Sequence, residues 1–334
     1  MKRIVADVLG GCLLMGFLCH TSAQNISPMS SAVEKGLAAE RFTIVAPFPA
    51  GGPVDVLSRV LAEGLQKVYS QAVVVENLPG AQGNLGMEKV KRAKADGHTL
   101  LVIPAGNLTI NPALMKNFPF QIERDFAPIT MIAKAPNVLV AGVQLQVKNA
   151  KELIDLAKAK PNTLSYASPG IGSGLHLAGE LFKQQAGIDM LHVPYKGTAP
   201  ALNDVLGGIV PLMFSNLPAA LPHIRSGKLV AIGITDSVRS AVAPDLPSLQ
   251  EQGLRGVVVT SWYGLLASAG TPTEITQQLA KDAQFIFTQP HIKEQLKAQG
   301  LSEVLLKPEE FAAYIAQETA TWGKIIRAKH IEAE

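Results

Sequence analysis

The chain has 334 residues, 47% of them hydrophobic and 17% charged, with 29 Gly, 22 Pro, two Cys and a formal net charge of +3. Disorder needs low hydrophobicity with high net charge and collagen needs a strict glycine period, so both are excluded, and the length suits about two globular domains. No run of five Lys/Arg marks a nucleic-acid surface, and Cys12 and Cys19 are the whole cysteine complement, so neither a disulfide framework nor a thiolate-held metal is expected in the folded body.

Lys2 and Arg3, the apolar stretch from Val8 to Cys19, and Thr21-Ser22-Ala23 read as a secretory signal peptide, residues 1–23, cleaved after Ala23. Leu9-Gly10-Gly11-Cys12 precedes the apolar core instead of following it, so it does not read as a lipidation box. Residues 24–40 are polar and rich in small side chains and are expected to be a flexible lead. Phe42 to Ala46 then reads as a strand, Pro47 to Pro53 as a glycine turn and Val54 to Tyr69 as a helix. A strand at Ala72 to Glu76, a glycine-rich turn at Asn77 to Gly86, a helix at Met87 to Lys94 and a strand at His98 to Pro104 follow. Alternating short strands and helices imply a parallel sheet covered on both faces.

The pattern recurs in the second half of the chain. Val138 to Gly142 and Leu164 to Ala167 read as strands around a helix at Ala150 to Lys160, and Ser168 to Gly174 forms a second glycine turn before a helix at Leu175 to Ala186. Leu191 to Pro194, Val210 to Phe214 and Leu229 to Thr235 supply further strands. Charge-free windows at Val205 to Pro222 and Gly256 to Thr273 are broken by Pro and Gly and read as buried strand plus turn. Phe311, Tyr314, Ile315, Trp322, Ile325 and Ile326 share one helical face, expected to pack back on the first module. Two α/β modules facing each other form a cleft of the kind in which open α/β sheets bind ligands.

Gly-x-Ser-x-Gly, Gly-Lys-Ser/Thr and His-Glu-x-x-His are all absent, and the seven histidines are scattered, so no catalytic residue, metal ligand or cofactor is assigned. The positive signal is the two glycine turns. Gly51 and Gly52 permit close approach of the backbone, Pro53 suits the first residue of a helix, and the free N–H groups there favour an anion such as a carboxylate. Neither turn contains arginine, so an anion would be held by N–H groups, hydroxyls and water. Each turn also serves simply to reverse the chain, Ser173 to cap its helix, and Asp55 to complement a helix dipole. His176 suits packing or capping as well as ligand contact, and Lys196 a solvated turn as well as the cleft. Gly170-x-Gly172-x-Gly174 lacks the spacing of a dinucleotide fingerprint.

Five segments together, Pro47 to Asp55, Glu76 to Gly86, His192 to Gly197, Leu217 to Ile224 and Ser261 to Leu266, give the chain from about Arg41 onward a close resemblance to the receptors of tripartite tricarboxylate transporters, the Bug family of periplasmic solute-binding proteins. The resemblance implies an α/β, two-lobe Venus-flytrap periplasmic binding protein fold with crossing hinge strands. Residues 41–136 plus 262–334 would form the first lobe and 137–261 the second. It implies a ligand-binding set of Phe48, Ala50, Gly51, Gly52 and Asp55 from one lobe and Ser168, Gly172, Ser173 and His176 from the other, with Asn84, Tyr195, Phe214 and Ser215 nearby. Three departures from the family pattern stand out: Leu78 where a basic residue is usual, Val54 where Thr is common and Ser215 where an acid is frequent. Losing that acid favours a plain carboxylate over an amino acid. The implied role is a monomeric periplasmic receptor that delivers a small carboxylate to inner-membrane transporter subunits; a sensor kinase is the alternative partner.

Overall fold

The computed structural model describes residues 31–332, and the signal-peptide reading lies outside the described residues. Part of the expected flexible lead is ordered. Ala32–Leu37 forms a helix (α1) because Ser31 accepts from the Glu34 N–H while the Glu34 carboxylate accepts from the Ser31 N–H, and Leu37 is fully buried.

The first lobe begins with β1 (Phe42–Ala46), α2 (Pro53–Tyr69), β2 (Val73–Asn77), α3 (Asn84–Lys91) and β3 (Thr99–Pro104). Two short helices, α4 (Ala105–Thr109) and α5 (Asn111–Leu114), lead to α6 (Ile122–Asp125) and the ten-residue strand β4 (Phe126–Ala135). The second lobe runs through β5 (Asn137–Gly142), α7 (Ala150–Ala159), β6 (Ser165–Ser168), α8 (Gly174–Ala186), β7 (Leu191–Pro194), α9 (Thr198–Leu206), β8 (Leu212–Asn216), α10 (Leu217–Arg225) and β9 (Leu229–Ile234). The chain then returns to the first lobe as β10 (Ser261–Ser268), α11 (Thr273–Phe287), α12 (Pro290–Ala298), β11 (Ser302–Glu303) and the long α13 (Pro308–Lys329).

The strands form a six-stranded sheet, ordered β11-β4-β10-β3-β1-β2, and a five-stranded sheet, ordered β7-β6-β8-β5-β9. Both are mixed, which corrects the expectation of a parallel sheet. β1 runs parallel to β2 and β3, and β6 parallel to β7 and β8, but β10 is antiparallel to β3 and β4, and β5 is antiparallel to β8 and β9. The reason is the crossing itself: a strand arriving from the other lobe enters its sheet from the end opposite to the strands of the βαβ units, so its direction is reversed.

Each sheet is covered by helices whose apolar faces it buries. Leu57, Leu61 and Leu65 of α2 lock against Phe42, Ile44 and Leu100, and Leu175, Ala178 and Phe182 of α8 against Leu212 and Phe214. Full burial of each large side chain contributes about 1.5–3 kcal/mol. Helix α13 departs from the expected packing. Phe311 and Ile315 join the first lobe's core as expected, but about two to three turns past Ile315 Trp322 and Ile325 pack on the second lobe's core, so the helix straddles both lobes.

A polar knot ties the two crossings together. The Asn137 amide donates to Val259 O at 2.9 Å, and its Oδ1 accepts from Asn216 Nδ2 at 2.9 Å and from the Ser261 hydroxyl at 2.8 Å. All of Asn137 is buried, so every one of these bonds replaces one lost to water.

Candidate functional site

A cavity of about 420 Å³ lies between the lobes, at the C-terminal ends of β1, β3, β6, β7 and β8. Its walls are the turn after β1 (Phe48, Gly52 to Val54), the starts of α3 and α4 (Gln82, Gly83, Ala105 to Asn107), the turn after β6 (Pro169 to Leu175) and the turn after β7 (Tyr195 to Ala199). Asn216, Val259 and Ser261 place the polar knot of the crossings in the lining, and Glu318 and Trp322 of α13 contribute from one side.

The first turn is shaped by Gly51, whose φ of +89° is a left-handed conformation that disfavours any other residue. Gly52 follows as the N-cap of α2 with no side-chain cap, and Pro53 has no N–H, so the first N–H groups of a 17-residue helix are left to whatever enters the cavity. Asp55 braces this turn from behind. Its carboxylate accepts from the Gly51 N–H at 3.1 Å and from Asn77 Nδ2 at 3.0 Å, and pairs with Arg59 at 2.9 Å. Burial raises the carboxyl's pKa, but Arg59, the Gly51 N–H and Asn77 together outweigh it and hold Asp55 ionised below the usual carboxylate range.

The second turn is wired internally. Ser173 caps α8, its hydroxyl oxygen accepting from the His176 N–H at 3.1 Å and its O–H donating to Gly170 O at 2.7 Å. The Gly172 N–H points to His176 Nδ1 at 3.4 Å. Behind it the His176 ring stacks on His192 with centroids 4.2 Å apart, His192 stacks on Tyr166, and His192 Nε2 meets the Ser168 hydroxyl at 2.7 Å. Burial pushes His176 down to about 4; burial, with the neighbouring His176 second, pushes His192 down to about 3, so both rings are neutral at pH 7. Gly172 has φ +75°, and a Cβ there would land on Asn111 Oδ1 of the opposite lobe, so the lobes meet at this glycine.

Of the residues expected from sequence, the cavity lining brings together Phe48, Gly52, Gly172, Ser173 and Tyr195. Tyr195 is tethered by its hydroxyl to the Asp204 carboxylate at 2.6 Å, and its pKa is raised to about 12 by burial and then by that bond. Ala50 and Gly51 are exposed on the outer side of the turn. Asp55, Ser168 and His176 lie behind the walls in the bonds just described. Asn84 begins α3 one residue behind the wall at Gly83. Phe214 is core, packed edge-on against Tyr166 and Phe182, and the Ser215 hydroxyl donates to Asn216 O, so the strand end reaches the cavity one residue later, at Asn216.

Sequence reasoning missed Gln82, Asn107, Asn111, Glu318 and Trp322. The available signal was positional: β3 lies beside β1 and parallel to it, so the helix after its end had to open on the same cleft. Gln82 Oε1 and Asn111 Oδ1 are buried without hydrogen-bond partners, and each side-chain amide also carries a donor for a polar guest. The lining contains one cation, the exposed Lys196, and one acid, Glu318, whose oxygens accept from Trp262 Nε1 at 2.8 Å and the Tyr314 hydroxyl at 3.0 Å. Away from the cleft, Glu40, Asp96 and His98 bring one possible ligand atom each within 4.8 Å, at the N-terminal ends of β1 and β3. Among the described residues no helix is long and apolar enough to cross a membrane.

Residues 57–331 match the model of the tripartite tricarboxylate transporter family receptor. The chain is 36% identical over 285 residues to Protein BugT of Bordetella pertussis, covering 85% of this chain and 87% of that protein. It superposes on the periplasmic binding protein BugD with a TM-score of 0.83 at 34% identity, covering 89% of this chain and 99% of that one. A protein of R. palustris solved with adipate gives 0.85 at 32% identity, covering 88% and 98%. The chain belongs to the tripartite tricarboxylate transporter receptor family and has its two-lobe periplasmic binding protein fold.

Proposed function

We propose that this member of the receptor family is an exported periplasmic protein that captures a small organic acid between its lobes and delivers it, unchanged, to an inner-membrane transporter. The observation that carries the reading is the wall of the cavity. The uncapped N-terminus of α2 opens on it with no arginine and one exposed lysine among the lining residues, a set of donors suited to a carboxylate and poor for a cation. The adipate held by the R. palustris relative supports the same ligand class. Capture follows from geometry: the lobes are joined at Pro136 and near Thr260, so a ligand contacting both turns stabilises the closed arrangement over the open one. A monomer suffices, because both walls come from one chain.

Native mass spectrometry of the protein purified without refolding, followed by denaturation, tests this. A released carboxylic acid that raises the melting temperature when added back is the expected result. A melting shift with cationic or sugar ligands and none with a broad panel of acids overturns it.

A further inference from the structure

We infer that the ligand is a carboxylate carried on a hydrocarbon body, aromatic or alicyclic, that lies against Trp322. The inference rests on the receptor reading above and names the substrate class of the same site. Two independent features of the cavity carry it.

The first is charge. Four helices of eight or more residues, α2, α3, α9 and α10, start in the lining with no side-chain cap, and their N-termini, each equivalent to roughly +0.5 of a charge, favour the anionic end of a ligand there.

The second is the distribution of apolar surface. Phe48, Ile110, Ile171, Leu175, Val259 and Trp322 line the cavity, and the residues of α13 that reach the lining are Glu318 and Trp322. Ile110, Ile171 and Trp322 also belong to one apolar cluster with Leu177 and Ile326, so this wall is braced from behind by both lobes and by α13. Glu318 stands one helical turn before Trp322 on the same face, and its negative charge turns the anionic end of a ligand away from α13. The carboxylate therefore faces the helix N-termini and the body faces Trp322. A citrate in that orientation would set a hydroxyl and a carboxylate against Trp322 and Glu318, whereas a ring there gains contact area and favourable ring-on-ring geometry.

Calorimetric titration and thermal shift of the full protein with benzoate, malate and citrate test this. Benzoate is expected to bind at least about tenfold more tightly than citrate. Trp322→Ala is expected to lower the benzoate-to-malate affinity ratio about tenfold while Trp322→Phe keeps most of it. The ratio cancels any general damage to closure. Citrate binding as tightly as benzoate, or a ratio unchanged in Trp322→Ala, overturns the inference and leaves the receptor reading standing. Failure of all three acids, with adipate also inert and the protein folded by circular dichroism, overturns the receptor reading itself.

Discussion

The two glycine turns look alike in sequence and are built for opposite tasks. The turn after β1 has no side-chain cap at its helix and is braced from the far side by Asp55, so its hydrogen-bond donors face the cavity. The turn after β6 spends its donors on itself: Ser173 caps α8, Ser168 bonds His192, and the Gly172 N–H is turned to His176. One turn is an anion seat and the other is a braced wall that closes on it. Glycine is needed in both, but for different reasons. Gly51 supplies a left-handed backbone for the seat, and Gly172 supplies room for Asn111 of the other lobe.

The sharpest way to break this contrast is Gly52→Val. Its backbone is in an ordinary region and an added Cβ meets nothing within 4 Å, so the fold tolerates the side chain while the isopropyl group fills the seat. Acid binding is expected to fall at least a hundredfold, about 2.7 kcal/mol, with an unchanged melting temperature for the unliganded protein. Retained affinity by calorimetry would show that the seat lies elsewhere.

Much of this was legible in the sequence, for definite reasons. The strand, glycine-turn and helix units around Gly51 and Gly172 announce themselves because glycine, proline and helix periodicity are local signals. β4 escaped notice because its residues are almost all buried and carry no alternation, and it is shaped by antiparallel pairing with β10, more than a hundred positions away in the chain. The cavity residues Asn107 and Asn111 sit on helices of five and four residues, too short to show a period. Trp322 was visible on the apolar stripe of α13, but a stripe does not say which of its residues pack on a core and which face a cleft. The roles of Asp55, Ser168 and His176 could not be read locally either, since whether a polar side chain braces a turn or faces a ligand depends on which side of the backbone it leaves.

The second prediction tests the braced wall through pH. His176 and His192 titrate in the folded state at about 4 and about 3, whereas an unfolded histidine titrates near ~6.5. The unfolded chain therefore takes up protons first as pH falls. The stabilisation is complete above about pH 6.5 and declines down to the folded values, by about 3 kcal/mol for His176 alone. Glu180 and Lys183 are the charged groups bearing on the pair, and Glu180 opposes the depression of His192. Denaturant midpoints followed from pH 7 to 4 should show a shallower slope in the His176→Gln, His192→Gln double variant. Parallel slopes would mean that the stack is not the source of the pH dependence.

A smaller effect is expected at the brace of the seat. Asp55→Asn keeps an acceptor for the Gly51 N–H but loses the ion pair with Arg59, whose side chain is 58% exposed and so well screened. A loss of about 1.5 kcal/mol in unfolding free energy is expected, with binding weakened only severalfold because the carboxylate acts through the turn. The sign with pH is opposite to a histidine gaining a partner: the folded pKa is depressed, so the contribution is present above the unfolded value near ~3.9 and is lost as pH falls through the folded one. A variant that abolished acid binding outright at pH 7 would instead make Asp55 a direct ligand contact.

The smallest effect discriminates most cleanly between seat and wall. Ser173 lines the cavity, and its hydroxyl is placed both to donate to Gly170 O and to accept from the His176 N–H. Both partners are its own loop and helix, so the hydroxyl has no free proton for a carboxylate. Ser173→Ala should therefore cost about 1 kcal/mol of stability, the ordinary value of an N-cap. Acid affinity should change less than about threefold, under 0.7 kcal/mol. Ser173→Gly should recover most of the stability, since glycine is nearly as good at that position. If Ser173→Ala lowered affinity tenfold or more while melting normally, the hydroxyl would have to turn from Gly170 toward the ligand, and the second turn would be a seat like the first.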